Sequence, residues 1–363
     1  MKHAKQLLTA GLFALLLFGF AGAALLLPDG EVSQVERRRL AQVPELDWEA
    51  LSGGDYSEEL ETYLADQFPL RQQLRTLAGG FRTALLGQKD NNGYYKTGDV
   101  LCKIDGPVQE SQVLWAVDKI RSIQDAYLSD SNVYWGLIPD KGYYADAGRP
   151  GLDYDALFAL LRDTLPAEMT ELDLTNVLTL DDYYRTDTHW RQEALVPVAD
   201  FILDALDAPA PARSYETQTL SPFYGVYYGQ SALPAQAETL RYLTDAVTDS
   251  AVVRSAEEDG LLPVYTVEKF QGMDGYNVFL NGAQAVITVE NPLAETDREL
   301  VLFRDSFGSS LAPLLLGGYA KVTLVDLRYI SSDILADYVD FAPGGDVLFL
   351  YSASLWNSGM LLK

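Results

Sequence analysis

Histidine, cysteine and positive charge are scarce in this 363-residue chain, which has two His, one Cys, and 27 Lys and Arg against 52 Asp and Glu. The lone Cys102 excludes an internal disulfide and any cysteine-rich metal site. His3 sits in the charged leader, so His189 is the one imidazole left to the body of the chain, too few for a histidine zinc site. The acidic residues show no EF-hand spacing, although a carboxylate site for a hard cation stays open on composition alone. No metal and no cofactor is expected. A formal charge of −25 repels phosphate backbones and argues against a nucleic-acid partner. With 48% hydrophobic and 22% charged residues, the chain has the composition of a folded protein with one large or two modest cores.

The first residues carry a single long apolar run. Leu7 to Leu27 is apolar apart from Thr9 and follows basic Lys2 and Lys5, long enough to cross a bilayer as a helix. Ala21-Gly22-Ala23 offers a small-residue cleavage site, but Leu25-Leu26-Leu27 continue past it, which favours an uncleaved anchor over a cleaved signal. Lys2 and Lys5 place the N-terminus in the cytoplasm and the bulk of the chain outside the cell membrane as a single-pass protein; Arg37-Arg38-Arg39 pull the other way.

Three regions are expected: an anchor or signal over 1–30, a linker and helical stalk over 31–90, and an α/β domain over 91–363. Asp47 to Leu86 has apolar residues at helical spacing, broken by Pro69. Asn91-Asn92-Gly93 signals a turn before a short strand pair ending near Ile104. Helices over Gln109–Leu128 and Tyr154–Leu165 flank a strand at Val133–Ile138, and a further strand is read within Leu172–Leu180. From Leu300 the rhythm repeats: strand Leu300–Phe303, helix Leu311–Leu316, strand Lys321–Leu327, helix Ile334–Tyr338, strand Val347–Tyr351. Helices alternating with buried strands predict a doubly wound, mostly parallel α/β sheet. Residues 208–297 break this rhythm and read as a β-rich insertion; its aromatics (Tyr224, Tyr227, Tyr228, Tyr276, Phe279) fit core packing better than a sugar-binding wall.

Two stretches carry chemistry. Tyr183-Tyr184-Arg185-Thr186-Asp187-Thr188-His189-Trp190 puts a carboxylate two residues before the imidazole. Phe303-Arg304-Asp305-Ser306-Phe307 puts a serine where a strand turns into a helix, at the carboxyl edge of a sheet where such folds bind ligands. Serine needs a base, and the base needs a third group to fix its tautomer, so Ser306, His189 and Asp187 are read as one nucleophilic site. The bland alternative is that Asp187 caps a helix from Trp190 to Leu203, kinked or divided at Pro197, with a satisfied histidine.

The ordered series Glu36-Arg37-Arg38-Arg39-Leu40, Asp66-Gln67-Phe68-Pro69-Leu70-Arg71, Pro139-Asp140-Lys141, Asp187-Thr188-His189-Trp190, Tyr276 to Gly282, Asp305-Ser306-Phe307 and Asp326-Leu327-Arg328-Tyr329 resembles the DHHW family of bacterial envelope proteins. It is more distantly similar to the SGNH-hydrolase-like domains of alginate O-acetylation proteins. Thr188 stands at the second position of the motif, where the family has a histidine of its name. The resemblance implies a circularly permuted SGNH-hydrolase-like sheet, with Ser306 as nucleophile, His189 as general base and Asp187 as its orienter. Strand order then puts Arg328 and Asn357 where SGNH enzymes carry the Gly and Asn of the oxyanion hole; Trp190 is a further candidate for oxyanion or substrate binding. The implied activity is an extracytoplasmic O-acyltransferase or esterase, acetyl by preference, acting on a cell-envelope polysaccharide, with a membrane-bound acyl donor protein as partner. The alternative is a catalytically inactive polysaccharide-binding or envelope assembly protein with the same fold.

Overall fold

The computed structural model describes residues 2–46, 51, 53–145, 151–208 and 210–363. The first residues of the stalk expected from Asp47 onward lie outside the described residues. The chain divides into two compact units, residues 1–92 with 228–234, and 93–227 with 235–363.

The first unit begins with helix α1 (Lys2–Leu26), which has no charged side chain after Lys5 and is long and apolar enough to cross a membrane. A two-stranded pair, β1 (Val32–Ser33) and β2 (Arg38–Arg39), follows, then helices α2 (Asp55–Asp66) and α3 (Arg71–Ala84). One ionic cluster ties these pieces together. Arg38 makes a bidentate pair with Asp66 at 2.5 and 2.7 Å, and Asp66 also accepts from the Ala41 amide at 2.9 Å. Glu36 takes Arg38 at 2.8 Å, Arg75 at 2.8 Å and Arg71. The Glu-Arg-Arg-Arg and Asp-Gln-Phe-Pro-Leu-Arg segments thus meet as one charge network.

The second unit opens with an antiparallel pair, β3 (Tyr94–Thr97) and β4 (Val100–Lys103), and is built on a seven-stranded sheet. Its strands are β5 (Asn132–Ile138), β6 (Thr170–Leu172), β9 (Val252–Ser255), β10 (Val286–Glu290), β11 (Glu299–Arg304), β12 (Lys321–Val325) and β13 (Asp346–Ser352), in spatial order β6-β5-β13-β11-β12-β10-β9. The first five in that order run parallel, and β10 and β9 are antiparallel additions at one edge. The fold is therefore built on a mostly parallel α/β sheet. Within residues 208–297, β7 (Glu216–Phe223) and β8 (Glu238–Thr244) pair separately from that sheet, β9 and β10 join it, and two short helices, α7 (Val226–Ser231) and α8 (Ala246–Ser250), lie between strands.

Period-two alternation assigns the two faces. Leu300, Leu302, Leu348 and Leu350 enter one core, with α6 (Val196–Ala205) and α9 (Phe307–Leu315). Val301, Phe303, Val347 and Phe349 enter the other, with α4 (Glu110–Tyr127) and α5 (Tyr154–Thr164). Both faces of the central strands are buried, which is why those strands read as continuous apolar runs. The chain leaves β11 through α9 to β12 on one side, then returns to β13 on the other. The carboxyl end of β11 is thus a topological switch point, where this kind of sheet opens a ligand crevice.

Several expected elements differ. Of Leu172–Leu180 only Leu172 is strand; beyond it the Asp173 carboxylate accepts from the Thr175 amide and Asp182 from the Thr179 amide, local bonds that replace a ladder. The helix expected at Leu311 begins at Phe307, because Gly308, Ser309 and Ser310 are small enough to be buried in its first turn. Ile334–Tyr338 lies mostly in a 3₁₀ turn, Ser332–Asp337. Pro197 occupies the first turn of α6 and starts the helix rather than kinking it.

Leu302, fully buried in the middle strand, tests this core. Leu302→Ala is expected to cost about 2–5 kcal/mol, read as a lowered midpoint in chemical denaturation.

Candidate active site

The Asp187–His189 segment is a loop closed by a bridge between Tyr183 and Trp190, with the Tyr184 amide donating to the His189 carbonyl at 3.0 Å. Inside the loop the Leu101 amide of β4 donates to the Arg185 carbonyl at 2.8 Å, and two buried charged side chains satisfy most of the remaining backbone groups. The Lys141 ammonium donates to the carbonyls of Tyr184 (2.8 Å), Arg185 (3.2 Å) and Asp187 (2.7 Å). The Glu238 carboxylate accepts from the amides of Arg185 and Thr186, both at 2.7 Å, and from the Thr186 hydroxyl at 2.6 Å. Lys141 is fully buried, and burial lowers its pKa despite the pull of Asp140, Asp187 and Glu238 in the other direction.

A glycine sets the approach of the next segment. A Cβ on Gly225 would overlap the backbone of Asp187, so only glycine lets the two strands of chain touch. The contact places the Val226 amide 2.8 Å from Asp187 Oδ2 and the Gly225 amide 2.9 Å from the Thr186 hydroxyl. The other carboxylate oxygen, Asp187 Oδ1, lies 2.5 Å from His189 Nδ1 and also accepts the His189 amide at 3.1 Å. His189 Nε2 lies 2.7 Å from Ser306 Oγ.

Ser306 stands between β11 and α9, as the residue immediately before the helix. Asp305 fixes this corner: its Oδ1 accepts the Phe307 amide at 3.1 Å and its Oδ2 accepts the Ser352 amide, from the end of β13, at 2.9 Å. Ser306 is half-buried, whereas Asp187 and His189 are buried. The serine is thus the most open member of a buried hydrogen-bonded chain. The imidazole is held on its faces as well. Tyr276 stacks on it at 3.7 Å and 6°, and Phe307 tilts against it at 4.9 Å. Tyr276 donates to Ser310 Oγ at 2.7 Å, and its hydroxyl pKa is raised well above the usual value by burial.

The structure brings Asp187, His189 and Ser306 together and engages the side chains of the remaining expected residues with other partners. Trp190 is fully buried and donates from Nε1 to Ser310 Oγ (2.9 Å) and to the Phe307 carbonyl (3.1 Å). It is a support under α9, not a substrate-facing wall. Asn357 donates to the Pro107 carbonyl at 3.1 Å and accepts the Gln109 amide at 2.6 Å, so its amide caps the start of α4. Arg328 forks onto Asp326 at 2.6 and 2.8 Å, and although burial opposes its charge, that pairing raises its pKa. Sequence reasoning passed over Lys141, Glu238, Gly225 and Tyr276 as site builders. Pro139-Asp140-Lys141 and the segment Tyr276 to Gly282 carried signals for Lys141 and Tyr276, and nothing local marked Glu238 or Gly225.

No protein-family model and no curated protein sequence matches the chain. Solved structures do. A DHHW family protein from Eubacterium siraeum DSM 15702 superposes with a TM-score of 0.59 at 18% identity, over 74% of this chain and 93% of that one. PatB1 of Bacillus cereus gives 0.60 at 18% identity, over 74% of this chain and 98% of that one, and has also been solved with a sulfonyl adduct. The O-acetyltransferase domain of Pseudomonas putida AlgJ overlaps more remotely, at 0.45 and 13% identity, over 73% of this chain and 92% of that one. The first two likenesses establish a shared fold.

Lys141→Met takes the ammonium donor from the Tyr184 and Asp187 carbonyls and is expected to destabilise the protein by about 3–5 kcal/mol in chemical denaturation. Asp105 gives a test of sign. Burial, and then the charge of Asp140, raises its carboxyl from the ordinary 3.8 to about 6. Its ionised form therefore costs stability: the cost is absent below about pH 4 and complete above about pH 6. Asp105→Asn should raise the denaturation midpoint above pH 6 and leave it unchanged below pH 4. At 1.36 kcal/mol per pH unit the gain is bounded at ~3 kcal/mol.

Proposed function

Proceeding from a fold shared with a DHHW family protein, we propose that the chain is a serine O-acyltransferase or esterase, acetyl by preference, that modifies a cell-envelope polysaccharide. The observation that carries this reading is the unbroken chain from Asp187 through His189 to Ser306, at 2.5 and 2.7 Å, ending in a half-buried hydroxyl at a sheet switch point. His189 Nε2 takes the Ser306 proton as Oγ attacks the acyl carbonyl, and Asp187 stabilises the imidazolium that forms. His189 then returns the proton to the leaving group, leaving an acyl ester on Ser306. A sugar hydroxyl, or water in the esterase outcome, attacks that ester while His189 removes its proton, and Ser306 Oγ recovers it.

The developing oxyanion needs donors, and the N-terminus of α9 offers partial positive charge there. The amides of Phe307 and Gly308 already donate to Asp305, so the Ser306 amide is the donor we assign. The membrane partner is the lipid bilayer through α1, with the remainder of the chain on the extracytoplasmic side; a membrane-bound acyl donor protein fits the same arrangement. The engagement of Asn357 and Arg328 elsewhere favours the second reading, a catalytically silent polysaccharide-binding or assembly protein.

Hydrolysis of 4-nitrophenyl acetate by the full chain in detergent separates the two, with transfer to oligosaccharide acceptors followed by mass. Ser306→Ala is expected to lower the rate at least ~10³-fold and Asp187→Asn ~10²–10⁴-fold, both folded by circular dichroism. Equal rates in wild type and Ser306→Ala would remove the serine from the chemistry. A folded wild type with no activity that still retains glycan would establish the silent binder.

A further inference from the structure

Helix α3 carries an unusual surface. Leu70, Leu77, Phe81 and Leu85 are 60%, 69%, 51% and 71% exposed, and with Leu74 they fall at helical spacing on one side. Arg71, Arg75 and Arg82 lie to one flank, and the back of the helix packs Gly79 against the Ala232 carbonyl. An exposed apolar stripe this long on a soluble surface marks an interaction site.

The neighbouring contacts say what covers it. The residues leaving α1 are fastened to the end of α2: the Gly30 amide donates to Gln67 Oε1 and Gln67 Nε2 donates to the Gly30 carbonyl, each at 2.9 Å. The Tyr63 hydroxyl donates to the Asp29 carboxylate at 3.0 Å. Phe68, at the corner between α2 and α3, stacks its ring on Phe20 at 5.2 Å. Phe20 lies six residues inside the Leu26 end of α1, roughly 9 Å along the axis at 1.5 Å per residue. The apolar stretch His3–Leu26 spans roughly 36 Å against a hydrocarbon core of about 30 Å, so Phe20 sits roughly 6 Å below the hydrocarbon boundary when α1 crosses the bilayer. Phe68 shares that depth, and an interfacial helix buries its apolar face by about 5–10 Å.

We infer that α3 is a second membrane contact, lying in the outer interface with Leu70, Leu74, Leu77, Phe81 and Leu85 among the acyl chains. The occupant of the stripe is the lipid surface. Beside it, a groove of about 580 Å³ bordered by Leu77, Phe81, Tyr228 and Pro234 gives an acyl chain room to enter. The inference stands on the anchor reading of α1 and is independent of the chemistry at Ser306.

Site-directed spin labelling of the full chain in phosphatidylethanolamine–phosphatidylglycerol vesicles tests it. Cys102 is buried and is replaced in a Cys102→Ala background. Single labels are introduced by Leu77→Cys, Phe81→Cys and, as an aqueous reference on α2, Glu59→Cys, and intact mass shows whether α1 is retained. The expected result is an oxygen-to-nickel-chelate accessibility ratio several-fold higher at 77 and 81 than at 59. Equal ratios at the three positions would overturn the inference. So would dipolar broadening at 77 and 81, which reports a second copy on the stripe, and so would an intact mass lacking α1.

Discussion

The site depends on how one irregular loop keeps its buried backbone polar groups satisfied. Between Tyr184 and Asp187 the chain has left the sheet yet is buried, so its carbonyls and amides need donors and acceptors from elsewhere. A single ammonium and a single carboxylate, Lys141 and Glu238, supply most of them, and the Leu101 amide of β4 adds one to the Arg185 carbonyl. Both charges are taken out of water, which is costly unless every proton and lone pair finds a partner. Here the three N–H groups of Lys141 each meet a carbonyl. The result is an Asp187 carboxylate whose position is set by the fold itself.

The second fixed point is the corner at Ser306. Asp305 links the end of β11, the first turn of α9 and the end of β13, so the serine is pinned by the sheet itself. Small residues in the first turn of α9 let this happen. A Cβ on Gly308 would press on the Arg304 side chain, and Ser310 receives both the Tyr276 hydroxyl and the Trp190 indole. The loop and the corner therefore meet through shared partners beneath the imidazole, and a shift in either would be felt by both.

Much of this was legible from residue types. A chain with one usable imidazole leaves little choice of base, and continuous apolar runs at Leu300–Phe303 and Val347–Tyr351 mark strands buried on both faces. The serine at the end of the first run followed from the same pattern. What was not legible was tertiary. The stacking of Tyr276 on His189 joins segments with no local relation, and the need for glycine at 225 arises only from the Asp187 backbone it touches. Asn357 and Arg328 sit after the expected strands, but their side chains are drawn to Gln109, Pro107 and Asp326 by contacts that strand order does not encode. Trp190 was misjudged because a large aromatic beside a base suits a binding wall and a buried strut equally well.

The clamp on the imidazole carries one more implication. With Tyr276 flat against one side, Phe307 tilted against the ring and Asp187 on Nδ1, a flip of the ring would break several contacts at once. In an acyl-transfer cycle the nitrogen facing Ser306 must then serve both halves of the reaction. The departing donor and the incoming acceptor would have to take turns in one seat, so the kinetics would be those of a turnstile, with the first product gone before the second reactant is admitted.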